Sequence, residues 1–203
     1  AARTASKCGD AKSVATGSEA AAASEAEGTE RRGIAAPYRF RRPMEENARA
    51  AAEAALTGGL PDEAALRRVC EILAGAHPGW GWVGVYVLAG DTLLLGPYVG
   101  PATEHTRIPV GVGVCGTAVA RDTNVVVDDV AALENYLACS TGTRSELVVL
   151  IRDGGDVVGQ FDVDSDDLAA FGPADEALLE DLAVLAGPRC RRLAAALAAE
   201  APG

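Results

Sequence analysis

Two stretches of this chain place apolar runs on either side of a glycine-containing turn, and few architectures accommodate both. Residues 80–100 read WGWVGVYVL, then Ala89 and a Gly90-Asp91 turn, then TLLLGPYVG; residues 145–165 read SELVVLI, RDGGD and VVGQFDVDS. Two apolar runs joined by so short a turn signal a β-hairpin. HTRIPVG at 105–111 and NVVVDDV at 124–130 add strand-like segments, and the Ala-rich GVCGTAVAR at 113–121 suggests a brief helix after a tight turn.

Helical patterns flank the strands. MEENARAAAEAAL (44–56) is one helix, and LPDEAALRRVCEILAGAH (60–77) is a second that opens at Pro61, a favoured first-turn residue. In the second, Leu66, Val69, Cys70 and Leu73 fall on one helical face, so Cys70 is most simply a core residue. FGPADEALLEDLAVLAG (171–187) is a third, which Pro188 should kink or interrupt before RRLAAALAAE. The order helices, antiparallel strands, helix predicts an α+β domain over 44–203, with helices packed on one face of a sheet. Residues 1–43 carry almost no large apolar side chain until YRFRRP at 38–43. They are expected to be a disordered low-complexity tail ending in a solvated basic hinge.

Charge and cysteine usage narrow the function. Eighteen Lys+Arg against 29 Asp+Glu give a net charge of −11, which would repel a phosphate backbone and argues against nucleic acid as a partner. No apolar run approaches the roughly 18 residues that span a bilayer, and no membrane partner is expected. The glutamates of the N-terminal stretch argue against an organellar transit peptide. The five cysteines are an odd number without CxxC spacing, which speaks against a disulfide scaffold and a structural zinc site, and no metal is expected. A reducing cytoplasm is the expected compartment.

Three segments place chemically useful residues beside strand ends. Cys139 lies in the polar loop of YLACSTGTRSE, where Arg144 could lower its pKa and raise its thiolate fraction; the bland alternative is an ordinary exposed thiol. Cys115, between Gly113 and Gly116, reads equally as a buried structural thiol or a reactive one. Asp162 and Asp164 alternate on one strand and so share a face, opposite Phe161 and Val163; they line a polar cavity or mark a solvated strand end. Glu146 on the partner strand could join them, and three clustered carboxylates would keep a proton near neutrality. Trp82 and Tyr86 supply a pocket wall or plain core packing.

Together GWVGVY, LLLGPYVG, RIPVGVGVCGTA, YLACSTGTRSELVVLI and VVGQFDVDS resemble the GAF-domain free methionine-(R)-sulfoxide reductases, from about Trp80 to Leu185. The resemblance implies a six-stranded antiparallel sheet with helices on one face and a small pocket on the other. It implies that Cys139 attacks the sulfoxide sulfur of free L-methionine-(R)-S-oxide and becomes a sulfenic acid, and that a second cysteine closes a disulfide. Thioredoxin or another thiol then reduces it, with no bound cofactor. Trp82, Tyr86, Glu146, Asp162 and Asp164 match substrate-binding positions, and a homodimer is the family expectation. The chain departs from the pattern where the first pocket cysteine should precede Arg107-Ile108: the segment reads TEHTRI, with His105 nearest. Cys115 could then take over as the resolving thiol, provided its Cα comes within about 7 Å of that of Cys139, or an outside thiol could reduce the sulfenic acid directly. His105 is a possible auxiliary proton donor or a solvated loop residue. The alternative function is a non-catalytic, ligand-binding or redox-sensing GAF module.

Overall fold

The computed structural model describes residues 38–133 and 142–200. Helices α1 (Tyr38–Thr57) and α2 (Asp62–Ala76) precede strands β1 (Trp80–Ala89), β2 (Thr92–Val99) and β3 (Arg107–Pro109). Helix α3 (Gly113–Arg121), β4 (Val125–Val127), a 3-10 turn (Val130–Ala132), β5 (Ser145–Asp153), β6 (Asp156–Ser165) and α4 (Pro173–Glu200) complete the order. The six strands form one antiparallel sheet in the order β3-β2-β1-β6-β5-β4. Both expected hairpins are present, and their inner strands, β1 and β6, pair at the centre of the sheet.

Period-two alternation sorts each central strand between two layers. Val83, Val85 and Val87 of β1, Leu147, Val149 and Ile151 of β5, and Phe161 and Val163 of β6 face α1, α2 and α4, where they meet Leu56, Leu66, Leu73, Leu179 and Leu182. Each fully buried leucine or phenylalanine of this layer contributes about 1.5–3 kcal/mol of transfer free energy. The opposite face carries Trp82, Tyr86, Val148 and Leu150, covered by α3 through Val114, Cys115 and Ala118 and by Ile108 of β3.

Two helix boundaries differ from the sequence reading. Helix α1 already begins at Tyr38, taking in the segment expected to be a hinge; its arginines are good helix formers. Helix α4 runs without interruption through Pro188. Proline removes the N–H that would bond the carbonyl four residues earlier, that of Val184. Val184 is 74% exposed, so water can take that bond. The next residue, the buried Arg189, fixes the helix in place. Its Nε donates to Leu56 O (2.7 Å), its two terminal nitrogens donate to Gly58 O (2.7 Å) and Leu60 O (2.8 Å), and it pairs with Asp62 at 3.2 Å. The Leu56 carbonyl, which the end of α1 leaves without a helical partner, is thereby satisfied, together with two carbonyls of the α1–α2 connection.

Residues 1–37 of the expected tail lie outside the described residues, as does the loop segment 134–141 with Cys139.

Candidate functional site

The face opposite the large helices is where the polar residues collect. Register places Trp82 of β1, Asp164 of β6 and Glu146 of β5 abreast, with Gly84, Asp162 and Val148 in the next row. Asp162, Asp164 and Glu146 are all at most 2% exposed. They do not form a solvated strand end.

Trp82 forms the adjoining wall. Its indole lies across Gly84, where a Cβ would fall 2.2 Å from a ring carbon, so only glycine leaves room for the ring to lie against the sheet. The indole stacks on Tyr98 (centroids 5.3 Å, planes 16° apart) and flanks Tyr86 at 6.2 Å. The Tyr86 hydroxyl donates to the main-chain carbonyl of His105 at 2.8 Å. His105 thus joins the site through its backbone, while its residue is half-buried at the rim.

Cys115 comes from the other side. Helix α3 starts at Gly113 (φ +64°), and at Gly116 a Cβ would meet Pro109 O at 2.4 Å. That close approach lets the first turn of α3 lie against β3 and points Cys115 inward. Its Sγ is 3.9 Å from Oε1 of Glu146. Atoms of Cys115, Glu146 and Asp162 lie within 4.8 Å of one another, and all three residues are buried.

The electrostatics follow from this crowding. Burial, and then the carboxyls of Asp162 and Asp164, push Glu146 well above the usual carboxylate range; its contact with Cys115 works weakly the other way. Burial and Asp162 likewise raise Asp164, against the influence of Thr143. Burial and mutual repulsion therefore favour the protonated carboxyl in this cluster, setting a buried acid next to a buried thiol.

One residue of this face was not singled out from the sequence. Gln160 precedes Asp162 and Asp164 at the same alternation on β6 and pairs in register with Tyr86 and Leu150. It is fully buried, and neither its amide oxygen nor its nitrogen has a partner among the described residues. The indole nitrogen of Trp82 is in the same condition. Unmatched buried donors and acceptors on a pocket face are what a polar ligand or ordered water would satisfy. The signal was available, since the i, i+2, i+4 spacing that groups the aspartates also includes Gln160.

Cys139 lies outside the described residues. The chain leaves the sheet at Val127, passes through the turn at Val130–Ala132 and re-enters the sheet at Ser145, with Gly142 beside Asp166 and Thr143 beside Asp164. Arg144 N donates to Ser165 O (2.8 Å) and its carbonyl accepts from Val130 N (2.9 Å), which pins both ends of that loop to the site's edge of the sheet.

Residues 63–189 match the GAF domain family. The chain is 41% identical over 101 residues to free methionine-R-sulfoxide reductase of Escherichia coli, covering 50% of this chain and 61% of that protein. It is 37% identical over 113 residues to the Saccharomyces cerevisiae protein of the same name, covering 54% and 62%. The chain thus spans about three fifths of the length of these curated relatives. Its fold is similar to that of free methionine-R-sulfoxide reductase from Neisseria meningitidis, solved in complex with its substrate. The TM-score is 0.68 at 37% identity, covering 74% of this chain and 91% of that one. With six antiparallel strands, a helical layer on one face and a buried acidic cluster on the other, the chain belongs to the GAF domain family and is similar within it to the free methionine-R-sulfoxide reductases.

Proposed function

We propose that this chain reduces free L-methionine-(R)-S-oxide to L-methionine with electrons from thiols. The observation that carries the reading is the buried contact between the Cys115 thiol and the Glu146 carboxyl, 3.9 Å apart under the Trp82 wall. Sulfoxide reduction needs a thiolate, a proton donor for the sulfoxide oxygen and a second thiol to discharge the first.

In this reading the Cys139 thiolate attacks the sulfoxide sulfur while Glu146 protonates the oxygen. The oxygen passes to Cys139, which becomes a sulfenic acid, and methionine departs reduced by two electrons. Cys115 then attacks the sulfenic sulfur, releasing water and closing a disulfide, which thioredoxin or another dithiol reduces. Asp162 and Asp164 hold the substrate's polar groups, the Trp82 and Tyr86 rings enclose its methyl end, and the indole N–H is a donor for the sulfoxide oxygen. A reducing cytoplasm suits this chemistry. No helix among the described residues is long and apolar enough to cross a membrane.

The test is methionine formation from the separated R and S sulfoxides with thioredoxin, its reductase and NADPH. Turnover of the R form by wild type and its loss in Cys139→Ser is the expected result. No methionine in single turnover with wild type overturns the reading and leaves a ligand-binding module.

A further inference from the structure

The site contains a ligand set that the reductase chemistry does not use as a set. Atoms of Cys115, Glu146 and Asp162 lie within 4.8 Å of one another, supplied by α3, β5 and β6. A tetrahedral zinc ion with sulfur at about 2.3 Å and carboxylate oxygen at about 2.1 Å holds those two donors about 3.6 Å apart. Cys115 Sγ and Glu146 Oε1 are 3.9 Å apart, so side-chain shifts of a few tenths of an ångström bring them to zinc-binding distance.

A second observation points the same way. Asp164, opposite Glu146 in the sheet register, is 1% exposed, and neither of its oxygens has a well-formed hydrogen bond. Among the described residues no arginine or lysine forms an ion pair with Glu146 or Asp164. Buried carboxylates are ordinarily matched by a base or a metal.

We infer that the reduced protein binds one Zn2+ ion through Cys115 Sγ, Glu146 and Asp162, with the fourth position open to water or Asp164. A thiolate among carboxylates selects zinc over magnesium or calcium, which take oxygen donors and higher coordination. Three protein ligands and one open position are the arrangement of an exchangeable zinc site rather than a structural one. The cysteine spacing that excludes a CxxC zinc site does not bear on it, because these ligands meet only in the folded chain. Cys115 binds as thiolate and gives up its proton. The bound ion fills the acid pocket and withholds Cys115 from disulfide formation, so zinc and any pocket ligand exclude each other.

The inference concerns binding and stands apart from the reductase reading, so its test uses no turnover. The full chain, reduced with a phosphine, is titrated with Zn2+ against a chromophoric chelator. One equivalent should bind with a micromolar or tighter Kd, and Cys115→Ser should bind at least tenfold more weakly. Cobalt(II) should give a thiolate charge-transfer band that Cys115→Ser loses and Cys139→Ser keeps. Zinc-edge X-ray absorption of the wild-type complex needs no variant, and should show one sulfur neighbour at about 2.3 Å among oxygens. Absence of binding, a sulfur-free zinc shell, two or more sulfur neighbours, or a band that survives in Cys115→Ser overturns the assignment.

Discussion

The indole of Trp82 occupies the space that a side chain at Gly84 would take: a Cβ there would sit 2.2 Å from the ring. Two residues apart on one strand and on one face, they make a flat aromatic wall instead of an ordinary packed row. Gly84→Ala must push the ring off its stack with Tyr98. The expected cost is about 1–3 kcal/mol of stability, and at least a tenfold loss in affinity for methionine sulfoxide, read by urea denaturation and calorimetry. Unchanged affinity would show that the wall does not contact the ligand.

Glu146 should weaken the fold as pH rises. Its folded-state pKa is raised above the ordinary 4.5 by burial and by Asp162 and Asp164. The favourable contribution of its protonated form is therefore complete below about 4.5 and is lost as pH climbs through the folded value. Glu146→Gln should flatten the decline in urea midpoint as pH rises above about 4.5. It should also lower turnover at least a hundredfold, the usual scale for losing a positioned acid. A wild-type midpoint that does not fall over this range would contradict the assignment.

The opposite sign is expected at Asp62. Hydrogen bonding to Arg192, helped by the charges of Arg192 and Arg189, holds its carboxyl below 3.8. Its contribution is present above that value and lost as acid protonates it. Asp62→Asn should therefore cost stability at neutral pH and have less effect in strong acid, as measured by urea titrations in both conditions.

Arg189 should matter more than its lone ion pair implies. Arg189→Ala removes the donors to three carbonyls at the α1–α2 connection and leaves Asp62 partly unpaired. A loss of about 2–4 kcal/mol is expected. Arg189→Lys should recover only part of it, since an ammonium cannot span three acceptors arranged for a planar fork. Chemical denaturation of both variants decides this.

Cys70 and Cys190 should be inert in the native protein. Burial pushes both thiols up to about 12, and Cys70 donates to Pro97 O at 3.5 Å. Their alkylation, followed by peptide mass spectrometry, should track global unfolding across a denaturant series. Rapid labelling without denaturant would place them in a locally opening region instead.

The features legible in the sequence were those written in local periodicity. The hairpins at Gly90-Asp91 and at 152–156, the buried stripe Leu66–Val69–Cys70–Leu73 and the shared face of Asp162 and Asp164 all depend on neighbours within a turn or a strand. What was missed depends on distant partners. The continuity of α4 through Pro188 reflects solvent on one side and the Arg189 anchor on the other. The contact of Cys115 with Glu146 joins residues 31 apart and arises only when α3 settles on the sheet. Gln160 shares the alternation of Asp162 and Asp164, but a lone neutral amide carries no charge to mark it, and its significance comes from its burial without a partner among the described residues.

The central pairing of β1 with β6 has a consequence for biosynthesis. β1 leaves the ribosome early with only β2 for company, and its other edge stays bare until β6 has been made. Until those strands zip together, Trp82 and Asp164 are strangers, and the buried acidic cluster does not exist. A nascent chain therefore carries its thiols without the environment that would direct them, and whatever chemistry the cluster supports switches on only with the closing of the sheet.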